Sequence, residues 1–98
     1  KPPHYLSLGL IMDFTITLSD AENKALEWCA DNSADWIQNA ATNRARVATE
    51  DIAKIYMDYK MDRGEAITAT SKAEMVVAAY SEGVIESART RTENQPAT

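Results

Sequence analysis

The chain has 98 residues, 45% of them hydrophobic, and a formal net charge of −5. That length allows one domain with a thin stability margin. A pI near 4.7 argues against a nonspecific grip on nucleic acid, which depends on neutralising phosphates with a basic surface. The single cysteine, Cys29, rules out an internal disulfide and any cysteine-based zinc site. No run of about 18 apolar residues occurs, so no segment is expected to span a membrane.

Residues 1–11, KPPHYLSLGLI, open on two prolines and read as an extended arm. Tyr5, Leu6, Leu8 and Leu10 are its candidate contacts, with its own domain or with a neighbour. From Met12, the apolar residues Met12, Phe14, Ile16 and Leu18 alternate with Asp13, Thr15 and Thr17. That is the period of a half-buried strand. No second strand pattern follows, so its edge is expected to pair outside the chain.

Ser19 and Glu22 have the spacing of a capping box and start a first helix over 20–30, with Ala21, Ala25, Leu26, Trp28 and Cys29 available for burial. Cys29 is expected to act as a small buried hydrophobe. Asp31, Asn32 and Ser33 end this helix, and Ser33 is expected to cap the next. The longest regular run then covers 34–62. In it Ile37, Ala41, Ala45, Ala48, Ile52, Ile55 and Tyr59 recur at steps of three and four along one stripe of a helix about 43 Å long. Trp36, Ala40, Val47 and Met61 mark a second apolar face, and Arg44 and Asp51 lie between the two, two turns apart. Arg46, Asn39, Asn43 and Lys60 are expected in solvent. Two apolar faces imply that one packs inward and the other meets a neighbour. Met57 and Met61 lie toward its nominally polar sides, an interface signal.

Gly64 stands where a helix-terminating C′ residue is expected. After the loop EAITAT, Ser71 and Glu74 predict a second capping box and a helix over 72–82, with Met75, Val76, Ala79 and Tyr80 as its apolar side. Gly83 interrupts it, Val84, Ile85 and Ala88 fit a final turn, and residues 89–98 read as a flexible tail. The expected fold is mainly α: an arm (1–11), then a domain (12–88) with a single β-strand, a short helix, one long central helix and a short C-terminal helix, completed by oligomerisation.

The residues offer little chemistry. His4 is the sole histidine, and the carboxylate pairs Asp31/Asp35, Asp58/Asp62 and Glu82/Glu86 lack the spacing of a metal site. Glu50 and Lys54 are an i, i+4 ion pair. No phosphate-binding or nucleophile-elbow motif is present. The reading is therefore not an enzyme, with no cofactor and no catalytic or metal residues. The interface candidates are Phe14, Ile16, Leu18, Trp36, Arg44, Val47, Asp51, Met57 and Met61.

The order DFTITLSDAENKALEWCA, DWIQNAATNRARVATEDIAKIY and SKAEMVVAAYSEGVIESA resembles small proteins encoded among the structural genes of tailed bacteriophages, over roughly Met12 to Ala88. The resemblance implies a virion structural or accessory protein, assembled in the host cytoplasm on a capsid, neck, tail or fibre. It also implies other virion proteins as partners and a homo-oligomer, with a trimer favoured over a dimer. The competing reading is a small phage-encoded intracellular regulator or nucleic-acid-binding helical protein, its first two helices forming a loose helix-turn-helix layout. The acidic charge and the length of the second helix weigh against it.

Overall fold

The computed structural model describes residues 11–96. Four helices follow in chain order: α1 (Asp20–Cys29), α2 (Ser33–Asp62), α3 (Lys72–Ser81) and α4 (Ala88–Glu93). They belong to two units, one reaching Trp36 and the other beginning at Ile37.

In the first unit, α1 starts as its sequence dictates. The Glu22 amide donates to Ser19 Oγ at 3.1 Å, and the Ser19 amide donates to Glu22 Oε1 at 2.9 Å. Two orphan donors of the first turn are satisfied reciprocally. Hydrogen bonding to the Glu22 carboxyl, from the Ser19 backbone first and then from the Ser19 side chain, holds it below its ordinary range. The helix ends at Ala30, whose amide still donates to Leu26 O. The next cap falls one residue before the expected Ser33: Asn32 Oδ1 accepts from the Asp35 amide at 3.0 Å. An Asn side chain reaches that amide as well as a serine does. Ser33 Oγ is left buried without a hydrogen-bond partner among the described residues.

The expected β-strand over 12–18 is absent, and no strand occurs among the described residues. Alternation records which way side chains point, whereas a strand needs a second backbone to share a ladder with. The described residues supply none, and Met12, Phe14, Ile16 and Leu18 all stand exposed.

The second unit is built on the C-terminal half of α2. Lys60 O accepts from the Glu65 amide and Met61 O from the Gly64 amide, with Gly64 at φ +64°. This Schellman closure is the one expected at Gly64. The chain then returns without helix or strand over 65–70, placing Ile67 and Ala69 inward between exposed neighbours. Ser71 caps α3 by accepting from the Glu74 amide. Glu74 completes the box one residue early, accepting from the amide and hydroxyl of Thr70 instead of from Ser71.

Two ion pairs fix the direction of α3. Lys72 Nζ lies 2.6 Å from Glu50 Oε1, and Lys60 Nζ lies 2.8 Å from Glu82 Oε1. Both partners advance by the same ten residues, about 15 Å of helix, so α3 runs alongside α2 in the same direction. Between the two pairs lie the buried hydrophobic residues Ala53, Tyr56 and Ala79. Small residues on both helices permit a close approach. A second Schellman closure ends α3: Ala79 O accepts from the Val84 amide and Tyr80 O from the Gly83 amide, with Gly83 at φ +74°. Val84 and Ile85 turn inward there. Ser87 then caps α4, which occupies residues read as the start of a tail, and Arg91 Nη1 donates to Glu86 O at 3.0 Å.

Candidate interface

Packing in the second unit selects a face of α2 different from the expected stripe. The buried positions are Ala53 and Tyr56, flanked by half-buried Thr49, Ile52 and Lys60, while Ala41, Ala45 and Ile55 of the stripe are exposed. Period alone defines a helical face only to within a residue, and the partner decides which of Ile55 and Tyr56 turns in. Tyr56 does so because its ring fills the gap beside Ala79 and its hydroxyl finds an acceptor at the edge: Tyr56 Oη donates to Glu82 Oε2 at 2.7 Å.

That carboxylate is the centre of a polar latch. Lys60 bridges Glu82 and Glu65, with Nζ 3.5 Å from Glu65 Oε1 and 5.7 Å from the centroid of the Tyr56 ring. Lys60 was expected in solvent, yet its side chain is only 14% exposed. Its aliphatic stem lies on the packed face while its ammonium meets the carboxylates at the rim. The hydrogen bond from Lys60, then that from Tyr56, lowers the Glu82 carboxyl below its ordinary range. The hydrogen bond to Glu82 in turn raises both the Lys60 ammonium and the Tyr56 phenol. The sequence leaves Glu82, spaced four from Glu86, as a surface carboxylate without the spacing of a metal site. Instead it ties the end of α3 to α2, and among the described residues no group of three His, Cys, Asp or Glu side chains is placed to hold a metal. Glu50 likewise pairs with Lys72 and not with Lys54, which turns to Asp58 at 3.1 Å.

The sequence candidates fall mostly outside this packing. In the second unit, Arg44, Val47, Asp51 and Met61 are exposed, whereas Met57 is half-buried on the flank of the packed face. Every residue from Gln38 to Val47 is exposed. Arg44 and Asp51 lie on the same side of α2, and neither has an ion pair among the described residues. In the first unit, Phe14, Ile16, Leu18 and Trp36 are exposed, Phe14 at 79%. Tyr5, Leu6, Leu8 and Leu10 lie outside the described residues.

Several exposed groups were missed. Trp28, expected to be available for burial, is 90% exposed, and Cys29 is exposed beside it, its thiol 3.3 Å from Leu26 O. On α3, Tyr80 faces outward and Val77 is 68% exposed, while Ala78 takes the inward place expected of Tyr80. The unbroken run MVVAAY gives no polar residue to mark the outer side, so its sequence carries no signal for this choice.

The arrangement is thus a small packed unit with apolar and complementary charged groups left on its outer faces. Compared with family models, with curated proteins and with solved structures, the chain has no match.

Proposed function

We propose that this protein is a structural or accessory component of a bacteriophage particle that works as a homo-oligomer. The observation that carries the reading is the balance of apolar groups: among the described residues the buried hydrophobic side chains are those of Ala53, Tyr56 and Ala79, while Phe14, Trp28, Val47, Ile55, Met61, Val77 and others stand exposed. Scattered exposed apolar residues are ordinary in a monomer. Here they outnumber the core, and in the second unit they lie on α2 (Val47, Ile55 and Met61) and on α3 (Val77 and Tyr80). Burial of such surface is favourable at about 25 cal/mol per Å², and a standard stable interface removes about 1,600 Å² from water.

The particle is a virion on the strength of the resemblance of residues 12–88 to small products of phage structural genes. In this role the chain needs no reactive centre. It contributes a helical surface whose repetition around a symmetry axis covers the apolar groups, with neighbouring virion proteins covering what remains.

Sedimentation velocity over a hundredfold range of concentration tests the reading. A mass that rises to a fixed multiple of the protomer supports it, and sedimentation as a protomer throughout refutes it. Recovery of the protein at a fixed copy number in purified particles tests the virion assignment separately.

A further inference from the structure

Ala40, Arg44, Val47, Ala48, Asp51 and Ile55 lie within the second unit and span about 100° of the α2 circumference at 3.6 residues per turn. This face sits about 160° round the helix from the one carrying Ala53 and Tyr56, and all its members are exposed except the half-buried Ala48. Nearby charges are already matched inside the chain, Lys54 with Asp58 and Glu50 with Lys72. Among the described residues Arg44 and Asp51 have no ion pair, and they stand as a cation and an anion on one apolar face.

Their spacing has a particular symmetry. Both are equally far from the midpoint between Val47 and Ala48, and so are Ala40 and Ile55. We propose that this face docks on the same face of a second copy in antiparallel fashion, with a two-fold axis passing between Val47 and Ala48. This rests on the homo-oligomer reading above and gives it a geometry. In that register Arg44 meets Asp51 of the second copy and Asp51 meets its Arg44. Ala40 packs against Ile55 of the second copy, small against large. Ala40 and Ala48 keep the helix backbones accessible to one another, as axes about 8–10 Å apart require.

The alternative orientation fails on charge. A parallel, in-register pair sets Arg44 beside Arg44 and Asp51 beside Asp51, and a parallel threefold bundle does so three times over. Such juxtaposition of like charges is strongly unfavourable. The two-fold register therefore displaces the trimer that the resemblance implies. It is also isologous, so it closes on itself and needs no further copy.

Charge reversal in the full-length protein tests the register, with association followed by sedimentation equilibrium. Each of Arg44→Asp and Asp51→Arg converts two attractions per dimer into two repulsions, and each is expected to weaken association about tenfold or more. The double variant Arg44→Asp/Asp51→Arg re-forms both pairs and is expected to restore it, which excludes unfolding as the cause of the losses. Orientation is read by cross-linking in a Cys29→Ser background with a short bifunctional thiol reagent. Antiparallel copies bring the two position-47 sites to within about 1.5 Å along the axis and hold the two position-40 sites about 22 Å apart. Val47→Cys is therefore expected to cross-link and Ala40→Cys is not. Cross-linking at both positions, or association indifferent to the single reversals, or failure of the double variant to recover, overturns this register and leaves the oligomer reading standing. A wild-type chain that stays a protomer at every concentration overturns both.

Discussion

Ala79→Leu is the most direct probe of the α2–α3 packing. Ala79 is 0% exposed and lies where α3 runs beside Ala53 and Tyr56 of α2, which are 1% exposed. The pairs Glu50–Lys72 and Lys60–Glu82 pin both ends of α3, so the helix cannot slide away to admit an isobutyl group in place of a methyl. Forcing extra carbon into a packed core costs about 1–3 kcal/mol through shifted backbones and strained rotamers. In a domain of this size each kcal/mol moves Tm by about 4–8 °C, which gives an expected fall of about 5–20 °C by far-UV circular dichroism at fixed protein concentration. Val77→Leu on the same helix is the control. Val77 is 68% exposed, and an added methylene there is expected to change stability by no more than about 0.5 kcal/mol. If Ala79→Leu is neutral while Val77→Leu destabilises, α3 presents its other side to α2, and the packing described above is wrong.

Four further outcomes follow from named groups. Glu82 is held below the ordinary carboxyl range by Lys60 and Tyr56, so its contribution is complete above about pH 4.3, its unfolded value, and is lost as pH falls through the lower folded value. The Tm gap between wild type and Glu82→Gln is therefore expected to shrink on acidification below that value, and a gap constant across the acid range contradicts the latch. On the alkaline side, Lys60 and Tyr56 are raised, so what they contribute stands below about pH 10 and fades as pH climbs through their folded values. Gly64→Ala and Gly83→Ala each place a side chain at positive φ where the new Cβ meets nothing within 4 Å. Each is expected to cost about 1 kcal/mol of backbone strain in chemical denaturation, and a much larger loss points to a clash the structure does not contain. Cys29 is exposed, so a water-soluble thiol reagent is expected to label it in native buffer as fast as in denaturant, and strong protection would return it to the buried role its sequence suggests.

What could be read from the sequence was local. Ser19 and Glu22 are three residues apart and satisfy each other wherever the rest of the chain goes, and Gly64 and Gly83 take the left-handed conformation that ends a helix because only glycine adopts it freely. Such features depend on neighbours a few positions away, and the structure keeps them. The features that shifted depend on partners distant in sequence. Glu50 has Lys54 one turn away, yet it pairs with Lys72 because α3 brings that ammonium close. Lys60 reads as a solvated lysine until Glu82 and Glu65 arrive beside it. The alternation over 12–18 is genuine, but a strand is a relation between two backbones and its period cannot supply the second. Of the candidate site, the placement of Arg44 and Asp51 on one side of α2 was legible, because a spacing of seven fixes it. The exposure of Trp28 and Val77 was not.

The two halves of α2 within the second unit are helical for different reasons. From Thr49 to Lys60 one face is covered by α3, and burial there supplies the stability. From Gln38 to Val47 every position is exposed, so no packing in the unit favours helix over coil. A free helix of that length is marginal in water, since nucleation is unfavourable and propagation adds little per residue. Here the packed half provides the nucleus, and the alanines at 40, 41 and 45 extend it at small cost. The result is a helix already formed but packed against nothing among the described residues of its unit. A surface of that kind loses little conformational entropy when a second chain covers it, which favours association. The same marginal stability makes it the part of the unit most strengthened by a partner. In the two-fold register proposed above, the second copy covers a helix already in place, and the charges at 44 and 51 decide in which direction the second helix lies.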